Sequence, residues 1–189
     1  MVTLVPDLVC SGSHGRDISV IFQRAHPDKE LRVWDDDFYP IDPDALRHVI
    51  IGINDPRERK RLAVKYPGMG PPRAIVDPSA IIGPNVTLAR GVIVAPLACL
   101  LHDVDLGEHV HVNYHASMTR CTVGAYTTVS PGATICGDVE IGEVCMIGAG
   151  AVVCDRVTIG DHVTVAAGAI IPPLSVVPSG SRVIGVWKH

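Results

Sequence analysis

Two short stretches near the N-terminus carry residue types suited to phosphate and hydroxyl groups. Ser11-Gly12-Ser13-His14-Gly15 follows an apolar run and precedes a helical pattern beginning at Arg16. Amides at a helix N-terminus point outward and favour an anion, so a turn there could cradle a phosphate. Asp35 and Asp36 end the next apolar run, where a nucleotide fold sets a carboxylate on ribose hydroxyls. Each stretch also has a plainer reading. Glycine is needed for many strand–helix turns by geometry alone, and an acidic pair is commonly a solvated turn. Further along, Arg120 stays protonated, so it cannot be a base but could hold a phosphate or carboxylate.

The first two stretches lie on alternating elements. Asp7–Cys10 reads as a strand, the glycine-rich stretch as a tight loop, and Arg16 to about Ala25 as a helix carrying Ile18, Val20, Ile21 and Phe22. Leu31–Trp34 and His48–Ile53 are further strands. Asp55 caps a helix over Pro56–Tyr66, with proline at its first position. Such alternation predicts a small parallel sheet. Pro67-Gly-Met-Gly-Pro-Pro72 is a linker, dividing the chain into 1–70 and 71–189.

Beyond the linker a six-residue unit recurs from Ala74 to Val186: small or apolar, any, aliphatic, then a small or polar turn residue. Val139-Glu-Ile141-Gly-Glu-Val and Val157-Thr-Ile159-Gly-Asp-His are clean examples. A strand alternates faces, so the first and third positions of a unit point the same way. A small or polar fourth residue lets the chain turn a corner. Three units close a triangular coil whose inward side chains stack at about 4.8 Å.

The coil period can be tested on one line of alanines. Ala80, Ala98 and Ala116 step by 18, as do Ala133, Ala151 and Ala169; Ala116 to Ala133 is 17. The steps Val104 to Cys121 and Val110 to Thr127 are also 17, and Cys121 to Val139 is 18. One residue is therefore missing between Ala116 and Cys121, at a corner, and the flanking coils keep register. This corner line is expected to run His102, Arg120, Gly137, Asp155 from coil to coil. Histidines at other corners, including His109, His115 and His162, are expected to be exposed.

The chain of 189 residues has 47% hydrophobic but only 4% aromatic residues, which suits stacked Val, Ile and Ala rather than a core of large rings. Net charge is −4 without a basic cluster, which argues against nucleic acid. No apolar run reaches membrane-spanning length and none reads as a signal peptide, so no membrane partner is expected. The six cysteines have no CxxC spacing and imply neither disulfides nor a metal site, which makes the cytoplasm the default compartment. Cys121 and Cys145 fall at inward positions; Cys99, Cys136 and Cys154 lie elsewhere on the prism.

Taken together, the glycine turn, the acidic pair, Ile51-Gly52-Ile53-Asn54 before an Arg-rich helix, and the hexapeptide prism resemble one family. It is the sugar acetyltransferases of the left-handed β-helix type, comprising sialic acid O-acetyltransferases and bacillosamine-pathway UDP-amino-sugar N-acetyltransferases. The resemblance covers essentially the whole chain. It implies a small Rossmann-like α/β N-terminal domain followed by a left-handed parallel β-helix of hexapeptide repeats, assembled as a homotrimer with active sites between prisms. Acetyl-CoA would be the co-substrate and a sugar or sugar nucleotide the acceptor. By the resemblance Gly12, Ser13, His14 and Gly15, with Asp35 and Asp36, face the nucleotide-sugar. Asn113 lies near the reaction centre, and the Gly137 amide binds the thioester oxyanion. Gly148, Ala149 and Gly150, with Ala166, Ala167 and Gly168, line the CoA arm.

The sequence departs from the family in three places. The segment from Asp37 to His48 is short, and the C-terminal Gly185-Val-Trp-Lys-His189 lacks the usual Gly-Val-Pro ending. Where the family carries His-Asp or His-Glu as general base and orienting carboxylate, this chain has Thr119-Arg120-Cys121. The replacements are His102, in His102-Asp103 one coil earlier, and His115, beside Asn113. The expected activity is acetyl transfer to a sugar amine or hydroxyl, with the amine preferred. The alternatives are a catalytically impaired homologue that binds a sugar nucleotide or acts as a scaffold, and an acyltransferase for a small metabolite outside sugar pathways. The glycine-turn domain argues against the last.

Overall fold

The computed structural model describes residues 7–10, 13–35, 49–65 and 73–188. Strand β1 (Asp7–Cys10) leads into helix α1 (Ser13–Ala25), followed by β2 (Arg32–Asp35), β3 (Ile50–Gly52) and α2 (Pro56–Lys65). The three strands are parallel in the order β2-β1-β3. Alternation along β1 sends Leu8 and Cys10 to one face, with Ile18, Ile21 and Phe22 of α1, and Val9 to the other, with Leu62 of α2. Asp55 accepts hydrogen bonds from the Arg57 and Glu58 amides at 2.8 and 3.1 Å, the expected cap of α2.

One expectation fails here. Ser13, His14 and Gly15 are not loop but the first turn of α1. The glycine serves packing: a Cβ on Gly15 would collide with the Cys10 side chain, so α1 can start directly against the end of β1.

From Ile75 to Val183 the chain winds as a three-sided parallel β-solenoid, with sheets of seven, six and six short strands. The first face runs through the strands at 75–76, 93–94, 111–112, 128–129, 146–147, 164–165 and 182–183. The second holds 81–82, 99–100, 117–118, 134–135, 152–153 and 170–171, and the third the intervening strands. Inward residues such as Val94, Ala98, Leu100, Val104 and Ile135 are buried to 1% exposure or less, in one continuous core. Each such Val, Ile or Leu contributes about 1.5–3 kcal/mol by leaving water. Trp187 packs on this core from the C-terminal end, its amide bonded to the Ile170 carbonyl at 2.9 Å.

Strand pairing gives the coil length directly. Ser117 pairs with Cys99 above and Thr134 below, steps of 18 and 17, and Cys121 pairs with Val104 and Val139, steps of 17 and 18. The short corner is therefore Thr119-Arg120, and the coils on both sides keep register, as the alanine spacing implied.

Six corners on each edge contain one residue in the left-handed region; the first corner, residues 77–80, has none. Between the second and third faces these are Asn85, Asp103, Arg120, Asp138, Arg156 and Leu174, none of them glycine. The α/β part docks on the first face: Leu8, Ile18 and Phe22 share a buried cluster with Ile75, Ile93 and Ala95. Arg24 locks this contact through a two-pronged ion pair to buried Asp77 at 2.6 and 3.0 Å.

Candidate functional site

Two edges of the prism flank its second face, and the candidate residues divide between them. The edge between the first and second faces carries Asn113, His115, Gly132, Gly148-Ala149-Gly150 and Ala166-Ala167-Gly168 in stacked coils. Backbone bonds join them: Gly132 N–H to Tyr114 O (3.1 Å), Gly150 N–H to Pro131 O (2.9 Å) and Gly168 N–H to Ala149 O (2.8 Å). Gly150 and Gly168 have φ of +65° and +67°, and a Cβ on Gly132, Gly150 or Gly168 would meet nothing within 4 Å. The result is an exposed ridge of bare backbone. Gly148 differs, because a Cβ there would strike the backbone of Ala166 and Ala167 in the next coil. Asn113 donates to the Val129 carbonyl at 3.3 Å, and His115 is exposed with φ +58°.

The second edge holds the short corner. In each coil the left-handed residue donates its N–H to the residue preceding the left-handed one in the coil before: Asp103 to Pro84, Arg156 to Gly137, Leu174 to Asp155. Arg120 follows this rule by donating to His102 O at 2.9 Å. Arg120 thus stands on the line of Asp103 and Asp138, not on that of His102 and Gly137 as its spacing suggested. The missing residue is the one on the His102 line. The pattern then slips once: Asp138 donates to the Arg120 carbonyl rather than to Thr119.

The Arg120 side chain fills the gap. Its guanidinium lies on Gly137, where a Cβ would overlap its Nη2, and its Nε donates to Asp138 Oδ1 at 3.2 Å. Hydrogen bonding and attraction to Asp138, with further attraction from Asp155 and Asp103, raise its pKa above the ordinary value. The Gly137 amide, the expected oxyanion donor, is not free: it donates to Asp155 Oδ1 at 3.0 Å. A groove of about 420 Å³ opens here, lined by Arg120 with Asp103, Asp105, Asp138 and Glu140.

His102 sits at this edge, half-exposed, its Nδ1 2.8 Å from Asp103 Oδ2. Asp103 also accepts from Asn85 Nδ2 at 2.9 Å. His102 and Asn85, in that order, hold its carboxyl below the usual carboxylate range. An imidazole held through Nδ1 by a carboxylate turns Nε2 to its surroundings, the geometry of an oriented base. Asn113 and His115 lie on the other edge of the same chain. His102 and Asn113 are thus brought to opposite borders of one face, not to one corner.

At the N-terminal end, Gly12 and Asp36 lie outside the described residues, as do the side chains of Ser13 and Asp35. So does the short segment from Asp37 to His48. His14 is described, and it faces the prism: its Nε2 stands 3.4 Å from His111 Nδ1, with the ring centroids 5.6 Å apart.

That contact opens onto a buried polar cluster that the repeat did not reveal. Arg59 of α2 is fully buried and donates to the carbonyls of His109 (2.8 Å), Ile53 (2.6 Å) and Asn54 (3.2 Å). It donates also to Tyr126 O and to Thr128 Oγ1, the latter at 2.8 Å. Burial pushes its pKa down to about 9, so it stays charged at neutral pH. His109, expected to be exposed, is 1% exposed because α2 covers its edge and its ring stacks on Tyr126. Burial first, then Arg90 and Arg59, pushes His109 down to about 4. Burial and Arg59 push His111 well below the ordinary value and lower His14. The signal for this cluster in the sequence was an arginine, Arg59, three residues before Leu62 on the inward side of α2.

The family described as the GMPPB C-terminal domain matches residues 67–181. Among solved structures, the chain is similar to the acetyltransferase domain of PglB from Neisseria gonorrhoeae FA1090. That match has 24% identity and a TM-score of 0.82, covering 93% of this chain and 95% of that one. WeeI from Acinetobacter baumannii AYE matches at 22% identity and TM-score 0.85, over 97% of both chains. PerB from Caulobacter crescentus, in complex with CoA and GDP-perosamine, matches at 24% identity and TM-score 0.80, over 93% of both. At these identities the likeness is one of fold, extending through the α/β part as well as the prism. No curated protein sequence matches the chain.

Proposed function

The chain belongs, through residues 67–181, to the family of the GMPPB C-terminal domain, and on that premise we propose that it transfers acetyl from acetyl-CoA to a sugar or sugar nucleotide. The observation that carries this reading is the fold match over 93% of the chain to a protein holding CoA and GDP-perosamine. Both halves of the chain take part in that match. In this reading residues 1–70 form a Rossmann-like domain for the nucleotide-sugar and 71–189 a left-handed β-helix for acyl transfer. In this reading the protein is a cytoplasmic homotrimer.

The bare ridge at Gly132, Gly150 and Gly168 fits a long, thin co-substrate, because nothing projects there to hold one off the backbone. When bound, acetyl-CoA supplies an activated thioester. His102, oriented by Asp103, takes the proton from the attacking amine or hydroxyl, and an amine is preferred because it needs less help from a base. Arg120, fixed between Asp138 and Gly137, steadies the corner.

The second reading is an impaired homologue that binds a sugar nucleotide without turning it over. It is favoured by the Gly137 amide, held by Asp155, and by the missing residue on the His102 line. A thiol-release assay with acetyl-CoA against UDP-, GDP- and dTDP-amino sugars separates the two. Release with one of these acceptors supports the transferase. Nucleotide binding without release on any of them leaves the impaired homologue.

A further inference from the structure

Cys136 and Cys154 open successive corners of the second edge. The pairs Thr134–Val152 and Ile135–Val153 set the register, which Cys136 continues by donating its amide to Val153 O at 2.9 Å. Cys154 repeats the contact one coil further on, with Ile171 O at 3.0 Å. The two cysteines therefore occupy the same place in adjacent coils, one strand spacing of about 4.8 Å apart. That separation lies within the Cα–Cα range a disulfide spans, about 4.4–6.8 Å. Both thiols are free and half-exposed, whereas Cys10, Cys121 and Cys145 are buried. Cys99, the remaining half-exposed thiol, stands in register with Ser117 and Thr134, two coils before the 134 strand, and is out of reach.

We propose that Cys136 and Cys154 form a dithiol modification site that closes to a disulfide on exchange with a low-molecular-weight disulfide. One protein thiolate attacks a sulfur of the small disulfide and expels one small thiol, leaving a mixed disulfide. The second protein thiolate attacks the protein sulfur of that bond and expels the other small thiol. Two protein thiols are oxidised, one small disulfide is reduced to two thiols, and two protons move to the departing thiolates.

The pair is guarded kinetically. Burial, then Asp155 and Cys154, push the Cys136 thiol up, so little thiolate exists near neutral pH and closure accelerates with rising pH. The same two corners are joined by the bond from Gly137 N–H to Asp155 Oδ1. Closure would therefore fasten together the corner holding the glycine amide and the corner holding the carboxylate that occupies it. The site stands independently of any acetyl transfer.

The test uses the native full chain with excess oxidised glutathione at mildly alkaline pH, followed by alkylation and intact-mass measurement. The expected product carries no glutathione or alkyl group on Cys136 or Cys154 and, once groups added at other thiols are subtracted, has lost about 2 Da. Digestion at acidic residues, which cut between the two cysteines at Glu140 and Glu143, should leave their fragments covalently joined. Cys154→Ser should accumulate a stable glutathione adduct at Cys136 instead, and Cys99→Ser should still close. Stable adducts on both cysteines of the wild-type chain, without a joined fragment, would overturn the proposal. So would a link made equally to Cys99, or closure that proceeds as readily in denaturant as in the folded protein.

Discussion

The guanidinium of Arg120 rests on the backbone of Gly137, in the space that a three-residue corner would have filled with another side chain. The contact follows from one deletion. With the residue on the His102 line gone, Arg120 takes the left-handed position of its coil at φ +41° and reaches over the next coil. Lengthening the corner should reverse this. Inserting a histidine between Thr119 and Arg120 restores the 18-residue step, and acetyl transfer should rise relative to wild type. A folded insertion variant with unchanged turnover would mean that the missing residue does not limit the reaction.

Asp155 holds the Gly137 amide at 3.0 Å, so a thioester oxygen bound by that amide would have to displace a carboxylate. Asp155→Ala removes the competitor and leaves the N–H in place. One such donor is typically worth about 10²–10³ in turnover. The variant should gain at least about tenfold if Gly137 binds the oxyanion, as measured by single-turnover thiol release. A loss of activity would assign Asp155 a positive role and exclude the competition.

His102 is the one histidine of the second edge, oriented by Asp103 at 2.8 Å. His102→Ala should lower turnover by about 10²–10⁴-fold while CoA binding and assembly persist. His115→Ala should cost less. Wild-type turnover in His102→Ala would show that the acceptor arrives already deprotonated or that the base lies elsewhere. In sedimentation equilibrium both variants should behave as wild type, at about three times the 20.1 kDa chain mass if the protein is trimeric. A monomer at micromolar concentration would remove the shared-site premise.

His109 and His111 are buried beside Arg59 with their pKa values depressed, His109 to about 4 against an ordinary 6.5. The unfolded chain binds protons on these rings below pH 6.5, and the folded chain does not until near pH 4 for His109. Stability is therefore intact above pH 6.5 and falls as pH drops through that window. Each such histidine costs about 1.4 kcal/mol per pH unit. Thermal unfolding between pH 7.5 and 5 should show a falling midpoint, and His109→Phe should flatten the slope. An unchanged slope would assign the acid sensitivity to other groups.

Arg59 satisfies five oxygens from three segments of the chain. Arg59→Ala would leave the Ile53, His109 and Tyr126 carbonyls without this donor in a dry site, at a cost of at least about 3 kcal/mol. The loss should fall on the docking of α2, so limited proteolysis should cut near residues 54–65 while the prism resists. Uniform proteolysis of both parts would show that they unfold together.

The prism was legible in the sequence, because its information is local and repeated. Inward positions alternate within each unit, and pairing demands the same residue class 18 positions on, so even the deletion at Thr119-Arg120 could be counted from the alanine line. The strands and helices of the first part were legible from local apolar patterning and the Asp55 cap, apart from the start of α1. Tertiary structure alone decided which groups at the corners are free. The deletion could be counted from spacing, but only the pairing of Arg120 N–H with His102 O shows which line lost its residue. That the Gly137 amide is occupied depends on a carboxylate 18 residues away in sequence and one coil away in space. His109 looked like any exposed corner histidine until α2, 50 residues earlier in the chain, was laid over it. A hydrophobic period fixes where a backbone goes; what covers a given corner is set by segments that the period does not contain.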